Sequence, residues 1–324
     1  PESAAVALSS LMGGTCVTLA VLIFRSTGLS QLTALLLSAI MGSSSAHVFN
    51  GAIPETYIFA AATLMLLYLA LVRRSGNTLW IVAGVFATGV LVSNLIQAIL
   101  IRFAGTDRQR GYMQSIATTA RFTVMVVVVT GVLNVVQKLI YPSSGLFFLP
   151  RAVLHERKYV EIPRGAQQIL RRAGTISEHL LLYCIVTPLP TIAGQERPSV
   201  TLGLDNILRW RASGAVAAVL IMTLLAGTAW RILGQRLWRD PLVQAALLCL
   251  GFNAALHSVY GNQLFLYVCN WTFSLVLLLG QSWLDVLVNR TFSWVFHGAL
   301  TVLLVGMLVN NTQFLCSLIG LYSV

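Results

Sequence analysis

Only ten acidic residues occur among 324, and one of them, Glu55, stands in Ile53-Pro54-Glu55-Thr56-Tyr57 between two apolar stretches. A carboxylate at such a junction can accept a proton, orient a sugar hydroxyl or bind a metal-bridged phosphate. His47, Asn50 and Tyr57 stand close by in sequence and complete a first polar cluster. The competing reading is structural, with Pro54 and Glu55 opening a helix whose dipole favours a negative charge. A second cluster, Ser93, Asn94 and Gln97, has i,i+3 spacing and reads as interhelical hydrogen-bond glue. A third, His257, Tyr260, Asn262, Tyr267, Asn270 and Trp271, brackets a tight turn; an aromatic belt explains its Tyr and Trp residues but not its His and Asn. For holding a phosphate the candidates are Arg102, Arg108 and Arg110, with Asp107 beside them to offset their charge or help hold a divalent metal.

The elements that must position these groups are transmembrane helices. The chain is 57% hydrophobic and 10% charged, with a mean hydropathy of +0.80, far from a soluble average. A backbone in lipid must satisfy its own hydrogen bonds, and runs such as Val124 to Val129 do not alternate as barrel strands do. The expected fold is an all-α polytopic bundle of about 9–10 spans, with apolar windows at roughly 4–24, 31–47, 56–72, 79–101, 119–141, 212–234, 242–260, 263–283 and 293–310. Three regions follow: helices over 1–141, a polar loop over 142–211 with an interfacial helix near 163–175 that Pro163 opens, and helices over 212–324. The stretch from His179 to Gly194, with Pro188 and Pro190, suits a re-entrant or interfacial segment as well as a crossing. The opening Pro1-Glu2-Ser3 has no Met or basic leader, which reads as a span entered mid-protein.

Arg25 and Arg73-Arg74 lie in alternate loops and mark the cytoplasmic side, placing Glu55 outside. The rule then conflicts with itself. A crossing at 79–101 puts Arg102 to Arg110 outside, and Arg231, Arg236 and Arg239 come inside only with one further crossing within 142–211.

Composition also excludes. The net charge of +11 rests on 21 Lys and Arg, almost all Arg, but a chain this apolar points to the bilayer and to lipid phosphates as partners, with no nucleic acid. Five cysteines, widely spaced, make no disulfide framework. The five histidines lack HExxH or i,i+4 pairing, and there is no phosphate-binding glycine loop or GxSxG elbow.

The order Leu22-Ile23-Phe24-Arg25-Ser26-Thr27-Gly28-Leu29-Ser30, then Leu35 to Phe49, then Ile53-Pro54-Glu55-Thr56-Tyr57, resembles polytopic glycosyltransferases of the GT-C class, especially bacterial relatives of the protein O-mannosyltransferases. The resemblance covers roughly residues 4–75. It implies a polyprenyl-phosphate sugar as donor, transfer on the outer face of a bacterial inner membrane, and a catalytic acid in a loop upstream of Pro1. Within this chain the expected carboxylate is Glu55, with His47, Asn50, Tyr57, Arg102, Arg108, Arg110, His257, Tyr260 and Asn270 binding substrate and Asp107 offered to a metal. The alternative is a lipid or small-anion transporter that uses the same polar spans without bond chemistry.

Overall fold

The computed structural model describes residues 2–106, 111–146, 154, 157–193, 199–201, 210–261 and 263–322. It is an all-α bundle. Its helices are α1 (Glu2–Ser26), α2 (Gln31–Gly42), α3 (Ser45–Ala52), α4 (Tyr57–Val72), α5 (Asn77–Val90), α6 (Asn94–Ala104), α7 (Tyr112–Ile140), α8 (Ala166–Glu178), α9 (Ala212–Gly234), α10 (Pro241–Val259), α11 (Cys269–Ser282) and α12 (Arg290–Tyr322). A small antiparallel hairpin, β1 (Thr191–Ala193) and β2 (Ser199–Thr201), pairs Thr191 with Thr201.

Five helices, α1, α7, α9, α10 and α12, are long and apolar enough to cross a membrane, and α2 with α3 forms a sixth such segment bent by 56°. The remaining apolar helices are short; α4 and α11 lie inside, whereas α5 exposes Leu79, Val82 and Phe86 and α6 exposes Ile96. α4 is apolar and buried on nearly every face, as a helix without a polar side must be, and α11 is buried on nearly every face with Asn270, Thr272 and Ser274 enclosed. Phe273 of α11 packs on Phe24 of α1 and Tyr68 of α4, with centroids 5.8 and 5.3 Å apart. By contrast Val124, Val128 and Val132 of α7 are exposed, the inside-out pattern of a bundle whose outer surface meets lipid.

The bend between α2 and α3 has a local cause. A Cβ on Gly42 would lie 2.5 Å from Val17 Cγ2, so α1 presses against the chain where α2 ends. Ser44 then restarts the helix, its hydroxyl accepting from His47 N at 3.3 Å, an N-cap in the middle of the bundle. α10 starts with an Asp240 carboxylate that accepts from Leu242 N and Val243 N at 2.9 and 3.0 Å.

The expected crossing at 79–101 is a helical hairpin instead. α5 and α6 are separated by Leu91, Val92 and Ser93, and Arg102 in the last turn of α6 donates from Nη2 to Asn77 Oδ1 at the start of α5, 3.0 Å away. A Cβ on Gly105 would meet Leu71 Cδ1 of α4 at 2.5 Å. The chain therefore leaves α6 at the end of the bundle where it entered α5.

One crossing fewer reorders the ends. The turns at Arg25, at Arg73-Arg74 and at Arg102 lie together with the α9–α10 and α11–α12 connections, where Arg231 pairs with Asp285 at 2.5 Å and Thr33 Oγ1 meets His297 Nε2 at 2.8 Å. At the opposite end lie Ile53 to Thr56, the stretch after α7, and the α10–α11 turn, where Glu161 N donates to Val259 O at 2.9 Å. The short-loop arginines thus share one end without an extra crossing in the 142–211 region.

Candidate functional site

The first and third polar clusters meet at the Glu55 end. Tyr57 and Tyr267 stand edge to face with ring centroids 5.2 Å apart. The Tyr267 ring lies 4.7 Å from the His257 ring, which also faces Trp271 at 5.4 Å. The Ala46 carbonyl of α3 accepts both from Asn50 Nδ2 at 2.9 Å and from the Cys269 thiol of α11 at 3.1 Å. Gly261 makes the turn possible: its φ is +82°, and a Cβ there would stand 2.9 Å from the Tyr267 ring.

His257 is held in one tautomer. Its Nδ1–H donates to Tyr260 O at 3.0 Å, which leaves Nε2 as an acceptor. That atom is buried with no hydrogen-bond partner among the described residues, and the same holds for Asn50 Oδ1 and Asn270 Oδ1. Arg172 closes this corner from α8, donating from Nε to His257 O at 2.9 Å and from Nη2 to the carbonyls of Tyr260 and Gly261. All three of these partners are neutral carbonyls, and the Glu161 carboxylate lies within electrostatic reach of the guanidinium.

Glu55 stands at the rim. It is exposed and within electrostatic reach of the Tyr57 hydroxyl. α4 begins only at Tyr57, with Thr56 at its N-cap, so Pro54 and Glu55 precede the helix and do not open it. Arg102 lies at the other end of the bundle, its guanidinium 4.7 Å from the Trp80 ring centroid, so it does not share a site with Glu55. Asp107, Arg108, Arg110 and Asn262 lie outside the described residues. Among the described residues no three His, Cys, Asp or Glu side chains gather to hold a metal.

The second cluster does what glue does. Gln97 Nε2 donates to Asn94 Oδ1 at 3.2 Å, and Asn253 Nδ2 of α10 donates to Gln97 Oε1 at 3.0 Å, tying the α5–α6 hairpin to α10.

Part of the site lies in the polar stretch, where a sequence reading gives little weight. α8 runs into a single π turn, His179–Tyr183, a form common at functional sites. From there Cys184, Ile185, Val186 and Thr187 enter the bundle fully buried, a re-entrant course that Pro188 and Pro190 end. The bend between α2 and α3 receives it: Ser45 N donates to Ile185 O at 3.0 Å and Ala46 N to Cys184 O at 3.2 Å. From α12, Asn311 Nδ2 reaches Ser43 O and Ile185 O at 2.8 and 2.9 Å, and Asn310 Nδ2 reaches Thr187 O at 2.8 Å. α2 is twelve residues long, so at ~1.5 Å per residue this junction lies about 18 Å from the Arg25 end. Burial lowers the His179 pKa from its ordinary value and raises that of the Glu178 carboxyl beside it.

The chain matches no protein-family model, no curated protein and no solved structure.

Proposed function

We propose that this chain is an integral membrane glycosyltransferase of the bacterial inner membrane, working at its outer face on a sugar carried by a polyprenyl phosphate. The observation that carries the reading is the gathering, at the end opposite the short-loop arginines, of an exposed carboxylate (Glu55), two packed tyrosine rings (Tyr57 and Tyr267), an imidazole with a buried acceptor nitrogen (His257) and the Arg172 guanidinium. Inverting transfer needs a base for the acceptor hydroxyl and a cation for the departing phosphate. Glu55 supplies the first role. Arg172 takes the second in place of Arg102, which lies at the far end. Of the two described acids at the arginine-rich end, Asp240 caps α10 and Asp285 pairs with Arg231, so both have structural work.

The transporter reading draws on one observation, the helix break at Gly42–Ser45 at mid-depth, since discontinuous helices form transport sites. Against an anion there, the free amides of Ser45 and Ala46 are already taken by the carbonyls of Ile185 and Cys184.

Glu55→Gln tests the transferase. With Glu55 as base, transfer by the folded variant falls roughly 100-fold or more, the usual size of general acid–base contributions. Near-normal turnover would remove Glu55 from the site.

A further inference from the structure

α8 has an uncovered apolar face. None of its residues is buried, and Ile169 and Leu170 are 54% and 72% exposed, with Ile162 just ahead of it at 69%. At 100° per residue, Ile169, Leu170, Ala173 and Ile176 share one face, while Gln167, Gln168, Arg171 and Thr175 share the opposite one. Arg172 falls at the boundary and latches the helix to the carbonyls of the α10–α11 turn. A helix in water would not hold such a face outward.

The surrounding charge says what covers it. Between residues 157 and 178, Arg157, Lys158, Arg164, Arg171 and Arg172 stand against Glu161 and Glu178, and Arg157, Lys158, Arg164 and Arg171 are exposed. Apolar side chains flanked by arginines match the boundary of a bilayer, where acyl chains meet phosphates. The helix also lies at an end of a bundle that itself crosses the membrane.

We infer that α8 lies in the membrane interface at the Glu55 end, with Ile169 and Leu170 in the acyl region and Arg164 and Arg171 binding the phosphates of anionic phospholipids. This does not depend on the transferase reading. Arg172 then fixes the height of the His257 corner relative to the phosphate layer.

The test uses the full chain in nanodiscs of phosphatidylcholine, alone or with phosphatidylglycerol, carrying an environment-sensitive fluorophore at Leu170→Cys in a Cys316→Ser background. The expected result is quenching by lipids spin-labelled near the headgroup and little by aqueous iodide. Phosphatidylglycerol should slow amide hydrogen exchange over 166–178 at least twofold, and R164Q/R171Q should abolish that difference while the Leu170 quenching stays. Quenching by iodide alone would overturn the proposal, because the face would then meet water or a protein. Equal exchange in the two lipid mixtures would overturn phosphate binding. Reproduction of the effect by inorganic phosphate, or by polyprenyl phosphate but not phosphatidylglycerol, would overturn the assignment to bilayer phospholipid.

Discussion

Arg102 Nη2 lies 3.0 Å from Asn77 Oδ1, although the two residues are separated by a stretch whose length and hydropathy read as one crossing. That bond returns the chain to the end of the bundle it had just left. It also resolves the loop-charge conflict, because among the described residues the arginines of the short connections then share one end, as retention of positive charge on the cytoplasmic side requires.

The topology can be tested directly. Single cysteines at Ser75 and Thr106 are expected to label from the cytoplasmic side, and one at Thr56 from outside, in a chain whose exposed Cys316 is replaced; the other four cysteines are buried. Labelling of positions 75 and 106 from opposite sides would restore a crossing and remove the hairpin.

Packing of α7 on the hairpin depends on Gly84. A Cβ there would stand 2.7 Å from Val126 Cγ2 and 2.8 Å from Phe122 Cζ, whereas Gly89 on the same helix has open space around it. Gly84→Leu is expected to destabilise the protein by about 1–3 kcal/mol, the usual cost of overpacking, and Gly89→Leu by much less. Thermal unfolding in detergent compares them, and equal shifts would contradict close contact at Gly84.

Most of the helices were legible because lipid demands long apolar runs, and each apolar window falls mainly on helix, with 31–47 and 79–101 broken in the middle. What length could not show was where a run turns back. The hairpin at Leu91–Ser93 contains neither proline nor glycine, and its one polar signal, Ser93-Asn94 with Gln97, reads equally as glue. The site was half legible: His47, Asn50, Tyr57, His257 and Asn270 were selectable as polar residues where lipid penalises them, but the packing of Tyr57 on Tyr267 and of Tyr267 on His257 is tertiary. Arg172 and His179 went unselected because they lie in a stretch that reads as outside the bilayer. Their signal was the pair Pro188 and Pro190 closing a short apolar run, which marks re-entry.

Asn311 holds the re-entrant segment with hydrogen bonds to Ser43 O and Ile185 O. Asn311→Leu strands the buried Ser43 carbonyl, at a cost of about 1–3 kcal/mol, while Ile185 O keeps its bond from Ser45 N. Faster alkylation of Cys184, now fully buried, should report the loosening. Unchanged protection of Cys184 together with unchanged unfolding would show that the segment is held by other means.

The same segment should also respond to pH through His179. Its imidazole is buried, donates from Nδ1 to Thr175 O at 2.8 Å, and its pKa is lowered chiefly by burial, against the opposing bond to Thr175, with the nearby Arg172 charge adding a smaller push down. A histidine depressed in the folded state contributes stability that is present above its unfolded pKa, here 6.5, and that is lost as pH falls through the folded value. Glu178 acts with the opposite sign: burial raises its carboxyl, so its contribution is present at low pH and lost as pH rises through its folded value. The two can be separated by substitution. In wild-type protein, acidification from neutral pH through the range below 6.5 should speed hydrogen exchange at the amides of 179–187, after correction for the intrinsic rate. His179→Gln should flatten that dependence, and Glu178→Gln should steepen the net loss on acidification by removing the opposing term. If His179→Gln keeps the full acid response, the titrating group lies elsewhere and His179 is only packing.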